Sequence, residues 1–298
     1  LQSIQSLPSS QSITRNHAFP LINLTNLMNL TNLRNLTDLR NLTNLINLRN
    51  LINSKLALQL LCWLAVMPAV AADYTNETLH YDVVYQWGFI WKHAADAKLA
   101  IRKTSTGYFS LLTGRTRSWA EKIYPTRDTL KCSMNDKMQP LLYENIVHEK
   151  TYYARDVVKF QYNYSHTSAH CTRYRKDKEP ETVDLSAACQ AYDMVSVFYM
   201  LRGLNFDTMT KNKPVTTIIF SGKQKEQLTI RYIGVEKVKL RDGSKHQAHR
   251  ITFKFTRDNG KKSSDDIDAW LSTDAQRIPL LLVGKLPIGE IKCYYKNQ

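Results

Sequence analysis

The sequence has no glycine-rich loop of the kind that cradles phosphates, no Gly-x-Ser-x-Gly elbow and no Cys-x-x-Cys spacing. The first absence leaves a nucleotide's phosphates without a backbone cradle. The second removes the usual mark of a serine hydrolase. The third makes a zinc site a poor reading of the cysteines. Acidic side chains are scarce too: 26 Asp and Glu stand against 41 Lys and Arg in 298 residues, a formal charge of +15. Residues 1–72 hold five of the basic groups and one acid, Asp38, so the remainder keeps a surplus of 11. Such a surplus favours contact with anionic surfaces. For an exported chain these are lipid headgroups or acidic glycans rather than nucleic acid. No apolar run comfortably spans a bilayer: Leu56–Val70 has fifteen residues, broken by Gln59 and Pro68, where roughly 20 are needed.

That run reads as the centre of a secretory signal over residues 55–72. Arg49 and Lys55 supply the positive start, and Ala69-Val70-Ala71 or Val70-Ala71-Ala72 meets the small-residue cleavage rule. An uncleaved anchor is the alternative. Cys62 lies inside the run behind bulky Leu61, which does not suit a lipoprotein cysteine. Upstream, leucine recurs at every third position from 21 to 51, with Asn between and one interruption at Asp38. A period of three fits neither helix nor strand and is far from the 20–29 residues of leucine-rich solenoids. Residues 1–54 therefore read as a disordered low-complexity tract, of the sort a short nucleotide repeat upstream of the true start would encode.

From Leu79 the pattern becomes alternation, which predicts strands. They fall at 79–86, 95–103, 108–119, 128–134, 141–148, 152–164, 215–220, 227–239, 249–255, 267–272, 278–283 and 288–295, with the last two as a hairpin. Short strands with polar breaks point to an antiparallel sheet, sandwich or barrel. Residues 172–186, with Arg173, Arg175, Lys176 and Lys178, read as a charged loop. One helix is predicted, over Asp193–Leu204. Asp193 is a good N-cap. Met194, Val197, Phe198, Leu201 and Leu204 make an apolar stripe, and Gly203 can end the helix.

These segments carry a resemblance. Tyr81-Asp82-Val83-Val84-Tyr85-Gln86-Trp87-Gly88, Thr126-Arg127-Asp128-Thr129, and the helix with Asp193, Ser196, Tyr199 and Arg202 resemble a bacterial exported family, the domain of unknown function 3108. Trp270, Asp274, Arg277-Ile278-Pro279 and Ile288-Gly289 resemble its closing motif. The likeness covers about residues 79–296 of a single β-rich domain at 73–298. Lys92-His93-Ala94 departs from it, because a glycine is expected between the first two strands. The resemblance implies a mainly β fold: a curved antiparallel sheet, barrel or half-barrel-like, with one packed central helix. It brings no activity.

Cys132, Cys171, Cys189 and Cys293 form an even set, which in an exported protein suggests disulfides. Cys171–Cys189 is the favoured pair and Cys132–Cys293 the second. His166 with His170, and His246 with His249, read as loop histidines rather than metal ligands. Asp265, Asp266 and Asp268 read as turn and ion-pair residues. Arg127-Asp128 and Arg202 suggest an ion pair between sheet and helix, since the Arg fork suits a carboxylate. No catalytic, cofactor or metal residues are assigned, and no cofactor is expected. The sequence thus points to a bacterial periplasmic or outer-membrane-associated protein. The leading reading is a non-catalytic binder of a lipid-like or other apolar ligand inside the curved sheet, or of an anionic membrane surface or glycan. An envelope enzyme acting on glycan or lipid, and a structural partner protein with a filled core, are the alternatives.

Overall fold

The computed structural model describes residues 74–297 apart from 123–124, 150, 259 and 261–262. The low-complexity tract and the expected secretory signal fall outside the described residues. The strands are β1 (Asn76–Trp87), β2 (Ile90–Thr104), β3 (Gly107–Thr116), β4 (Arg127–Met134), β5 (Pro140–Glu149), β6 (Tyr152–Asn163), β7 (His166–Arg175) and β8 (Glu181–Ala187). After these come β9 (Ala191–Tyr192), β10 (Pro214–Ser221), β11 (Gln224–Lys239), β12 (Lys245–Arg257), β13 (Ile267–Ser272), β14 (Pro279–Lys285) and β15 (Glu290–Lys296). Two short helices accompany them, α1 (Ser118–Glu121) and α2 (Ser196–Arg202).

All fifteen strands form one sheet made of two meanders. β8 back to β1 are neighbours in turn, as are β15 back to β9, and β1 pairs with β15 to join the halves. Every pairing is antiparallel except the short parallel contact of β9 with β10. The edges, β8 and β9, are consecutive in the chain, with residues 188–190 between them. Thr167 on β7 ties that link down: its hydroxyl donates to Cys189 O at 2.8 Å and accepts from Ala191 N at 3.1 Å. Phe160 on β6 stacks on Phe220 of β10 at 5.7 Å. The sheet therefore curls into a nearly closed barrel. One end, the rim, carries the β1–β2, β3–β4, β5–β6, β7–β8, β10–β11, β12–β13 and β14–β15 connections. The opposite end carries α2.

Alternation decides which side chains fill the barrel. On β4, Asp128, Leu130, Cys132 and Met134 are buried and the residues between them are not. Tyr143, Val158, Phe220, Leu228, Ile230, Ile251 and Phe255 also have essentially no exposure. Each such large side chain contributes about 1.5–3 kcal/mol by leaving water. A second, smaller cluster forms on the outside. β11 is interrupted by a bulge between Tyr232 and Gly234, with Gly234 at φ +140°. A bulge swaps the faces of the residues beyond it. Leu228 and Ile230 therefore face inward, whereas Val238 and Leu240 pack on Val84, Leu281 and Tyr294. The tip of the β11–β12 hairpin becomes a strap across the outer surface.

Three expectations change. The helix is shorter than 193–204, and a single packed central helix is not what the chain builds: α2 has seven residues and α1 four. Residues 172–186 are not a loop. They are the hairpin β7–β8, whose turn places Asp177 at φ +59°. The charges misled because they alternate with Cys171, Val183 and Leu185, which face the core cluster. Lys92-His93-Ala94 needs no glycine, because it lies within β2. The turn is Gly88-Phe89, with Gly88 at φ +56°, as a two-residue hairpin with glycine first requires.

Candidate functional site

The residues singled out in the helix do meet, and what they make is a lock. Asp193 O accepts from Val197 N at 3.1 Å, closing a turn that leads into α2. Asp193 Oδ1 accepts from Val195 N at 2.6 Å and Ser196 N at 3.0 Å, and Oδ2 from Ser196 Oγ and Cys132 Sγ, each at 2.9 Å. Asp193 N in turn donates to Ser196 Oγ at 2.9 Å, a reciprocal cap. Burial pushes the Asp193 carboxyl up against the pull of these donors. Tyr199 Oη and Ser110 Oγ lie 2.7 Å apart. Arg202 forks onto Glu77 at 2.6 and 2.7 Å and donates to Gln276 O from two nitrogens. That carbonyl is presented by the closing motif. Asp274 Oδ1 accepts from Ser272 Oγ, Gln276 N and Arg277 N, and buried Pro279 begins β14. Trp270 lies on the outer face, where its Nε1 donates to Glu236 at 2.7 Å and Arg250 covers its ring. The sequence missed Glu77, because one glutamate at a strand start carries no local signal.

The expected pairing of Arg127-Asp128 with Arg202 does not form. Arg202 is at the helix end of the barrel, whereas Asp128 starts β4 at the rim. Arg127 is exposed and reaches Glu121 at 3.4 Å. Asp128 is buried, accepts from His148 N at 3.2 Å, and leaves Oδ2 buried without a hydrogen bond. Burial, then the Glu149 carboxylate, raise its pKa to about 7. The disulfides do not form either: all four cysteines are free. Thr167 holds the Cys189 backbone, and Cys171 is four residues further along β7, roughly 13 Å at strand spacing. A disulfide needs Cα atoms within about 7 Å. Cys132 and Cys293 are on strands four places apart in the sheet, and the Cys132 thiol is committed to Asp193. Burial raises both Cys171 and Cys293 to about 12.

The exposed chemistry gathers at the rim. Trp87, Phe89 and Trp91 on the β1–β2 hairpin are 55, 93 and 51 % exposed, and Ile288 in the β14–β15 turn is 63 % exposed. The two tips are braced. Tyr85 Oη donates to Ile288 O at 3.0 Å. Gly289, at φ +82°, passes so close to Gln86 O that a Cβ would collide with it. Behind the tips, a cleft of about 430 Å³ opens under the strap, lined by Val84, Trp91, His93, Arg241 and Tyr294. His93 Nε2 is 3.0 Å from Asp96 Oδ1 and 3.5 Å from Asp82 Oδ1. These three atoms converge as metal ligands could. The surroundings oppose that use. Arg241 pairs with Asp82 at 2.5 Å, Arg117 pairs with Asp96 at 2.6 Å, and Arg241 NH1 is 3.0 Å from His93 Nδ1. Two guanidinium groups thus already occupy the carboxylates, and one also occupies the Nδ1 side of His93. The cluster is an ion-pair hub that pins strap and α1 approach to β1–β2. His249 hydrogen-bonds Tyr232 and stacks on Phe206, and His170 pairs with Asp184.

The sequence model of a family described as "Protein of unknown function (DUF3108)" matches residues 80–296. The chain belongs to the DUF3108 family. The match takes in Asp193, Ser196, Tyr199 and Arg202 of the helix lock, Asp128, the rim hairpins and the closing motif of this DUF3108 domain, while Glu77 lies just before it. No curated protein matches it. Among solved structures, it is similar to a "Beta-barrel-like Protein of Domain of Unknown Function DUF1849 from Brucella abortus". That likeness has a TM-score of 0.52 at 13 % identity and covers 75 % of this chain and 96 % of the other. At that identity it bears on the fold, and the barrel-like shape of the DUF3108 domain agrees with it.

Proposed function

We propose that this protein is an exported envelope component that works without catalysis, engaging an anionic or amphipathic partner on its outer surface at the rim. One observation carries the reading: Trp87, Phe89, Trp91 and Ile288 are exposed beside lysines, while Tyr143, Phe220, Leu228 and Phe255 fill the barrel. A small barrel can hold a ligand or its own side chains, and this interior is occupied by side chains. The apolar ligand is therefore moved from inside the sheet to its rim. Export rests on the charged start, apolar run and cleavage site of residues 49–72. The basic surplus of the remainder suits an anionic partner.

The enzyme reading keeps one point in its favour. Asp128, with its raised pKa, lines a second depression of about 330 Å³ together with His80, Lys98 and Arg127. Its oxygens are buried, however, and a general acid must reach its substrate. Native mass spectrometry of residues 73–298, purified from a periplasm without detergent, tests the surface reading. The expected result is the bare protein mass. A stoichiometric extra mass that survives gentle ionisation and is lost on denaturation would place a ligand inside the barrel and overturn it.

A further inference from the structure

We propose that the paired β1–β2 and β14–β15 tips form a membrane-contacting rim that enters the headgroup zone of an anionic phospholipid bilayer. This rests on the surface reading above and names its partner. Phe89 and Ile288 occupy the turns themselves, so apolar groups lead at both tips. Trp87 and Trp91 stand just behind Phe89 on adjacent strand ends. Indole rings favour the boundary between hydrocarbon and water, where one part of the ring is dry and the N–H stays wet. Lys292 lies over the Trp91 ring at 4.5 Å and Lys92 over Trp119 at 5.1 Å.

The carboxylates nearest the two tips are engaged by cations. Asp96 is engaged by Arg117, Glu121 by Arg115 and Arg127, and Glu290 by Lys292. Lys92 and Lys285 remain beside the tips with no carboxylate partner among the described residues. Their long stems can run along the apolar groups while the ammonium stays at headgroup level. Attraction of such lysines to anionic lipid, together with the surplus of 11 charges, brings the rim to the surface. The braced tips also lose little freedom on insertion, because Gly289 already packs against the Gln86 carbonyl.

Shape separates a bilayer from a protein partner. Phe89 and Ile288 sit exposed in two separate turns, with exposed Lys92 and Lys285 on the strands behind them. A fluid headgroup layer accepts protruding side chains, whereas a protein would need a matching pocket for each.

The test uses residues 73–298, which hold every described strand, in co-sedimentation with vesicles. One set is equimolar phosphatidylglycerol and phosphatidylcholine; the other is phosphatidylcholine alone. The anionic vesicles should bind at least about tenfold more tightly. A Phe89→Ser/Ile288→Ser double variant should lose about tenfold or more of that affinity, with an unchanged melting profile because both side chains are exposed. Tyr164→Ser, altered at a fully exposed site on the opposite end, should bind as the parent does. Brominated lipid should quench the tryptophan fluorescence of the parent and not that of the double variant. Equal binding to both vesicle types, or parental binding by the double variant, would overturn the proposal. Failure here with a bare native mass leaves surface binding standing with a partner other than lipid. A retained internal ligand would remove the surface reading itself.

Discussion

At the scale of single residues, Asp128 and Asp193 show how differently a barrel treats two buried carboxylates. Asp193 receives four donors, from two backbone amides, a hydroxyl and a thiol. Asp128 receives one amide and faces Glu149. Its pKa of about 7 against an ordinary 3.8 means that the folded state holds the proton longer than the unfolded chain does. Between those values stability falls as pH rises. Asp128→Asn removes the charge and should flatten that fall. The full shift corresponds to about 4 kcal/mol, and allowing for relaxation around the site the variant should gain about 2 kcal/mol at pH 8. At pH 4 and below the two proteins should match. Urea unfolding at both pH values checks this, and parallel stability profiles would contradict the assignment. Both aspartates were picked out in the sequence, but nothing local distinguished the satisfied one from the strained one. Their surroundings come from Cys132, His148 and Glu149, brought in by neighbouring strands.

At the scale of elements, the strap is the part that alternation alone mispredicts. Residues 227–239 read as one strand, and as backbone they are. The bulge at Gly234 reverses their faces part-way, and Val238 and Leu240 then cover the outside of β1, β14 and β15. Arg241 fastens the tip to Asp82 and His93. Because Arg241 is partly exposed, Arg241→Ala should cost under about 1 kcal/mol in global stability. It should nonetheless speed amide hydrogen exchange across residues 238–246 while the barrel strands keep their protection. Unchanged exchange in the hairpin would mean that Val238 and Leu240 hold it alone. The hairpin β7–β8 carries the same lesson. Its charges suggested a loop, but they are the outward half of a strand pair whose inward half is Ala169, Cys171, Val183 and Leu185.

At the scale of the whole molecule, the last strand is not an edge. β15 lies between β1 and β14 in the middle of the sheet, in register from His80↔Lys296 to Gln86↔Glu290. Ending the chain at residue 289 removes the join between the two meanders and uncovers both Val83 and Leu282. The truncated protein should fail to fold cooperatively, with loss of the thermal transition in circular dichroism. A truncation that still melts sharply would show that the meanders fold independently. Native reactivity should follow the same closure. Cys132 and Cys171, both fully buried, should resist alkylation until the barrel opens.

The sequence by itself determined the strand content, most strand positions and the family. These depend on alternation and on residue strings that are contiguous in the chain. It also isolated Arg202, Asp274 and Ile288-Gly289 as special without revealing why. Only the tertiary structure decided that Arg202 answers Glu77 and Gln276, that the cysteines stay apart, that the interior is filled, and that the aromatic β1–β2 tip and the Ile288 tip stand side by side. The reason is physical. Partners 70 to 200 residues apart in the chain are chosen by sheet curvature and register. A one-residue bulge at Gly234 is enough to send the same alternating pattern to the opposite face.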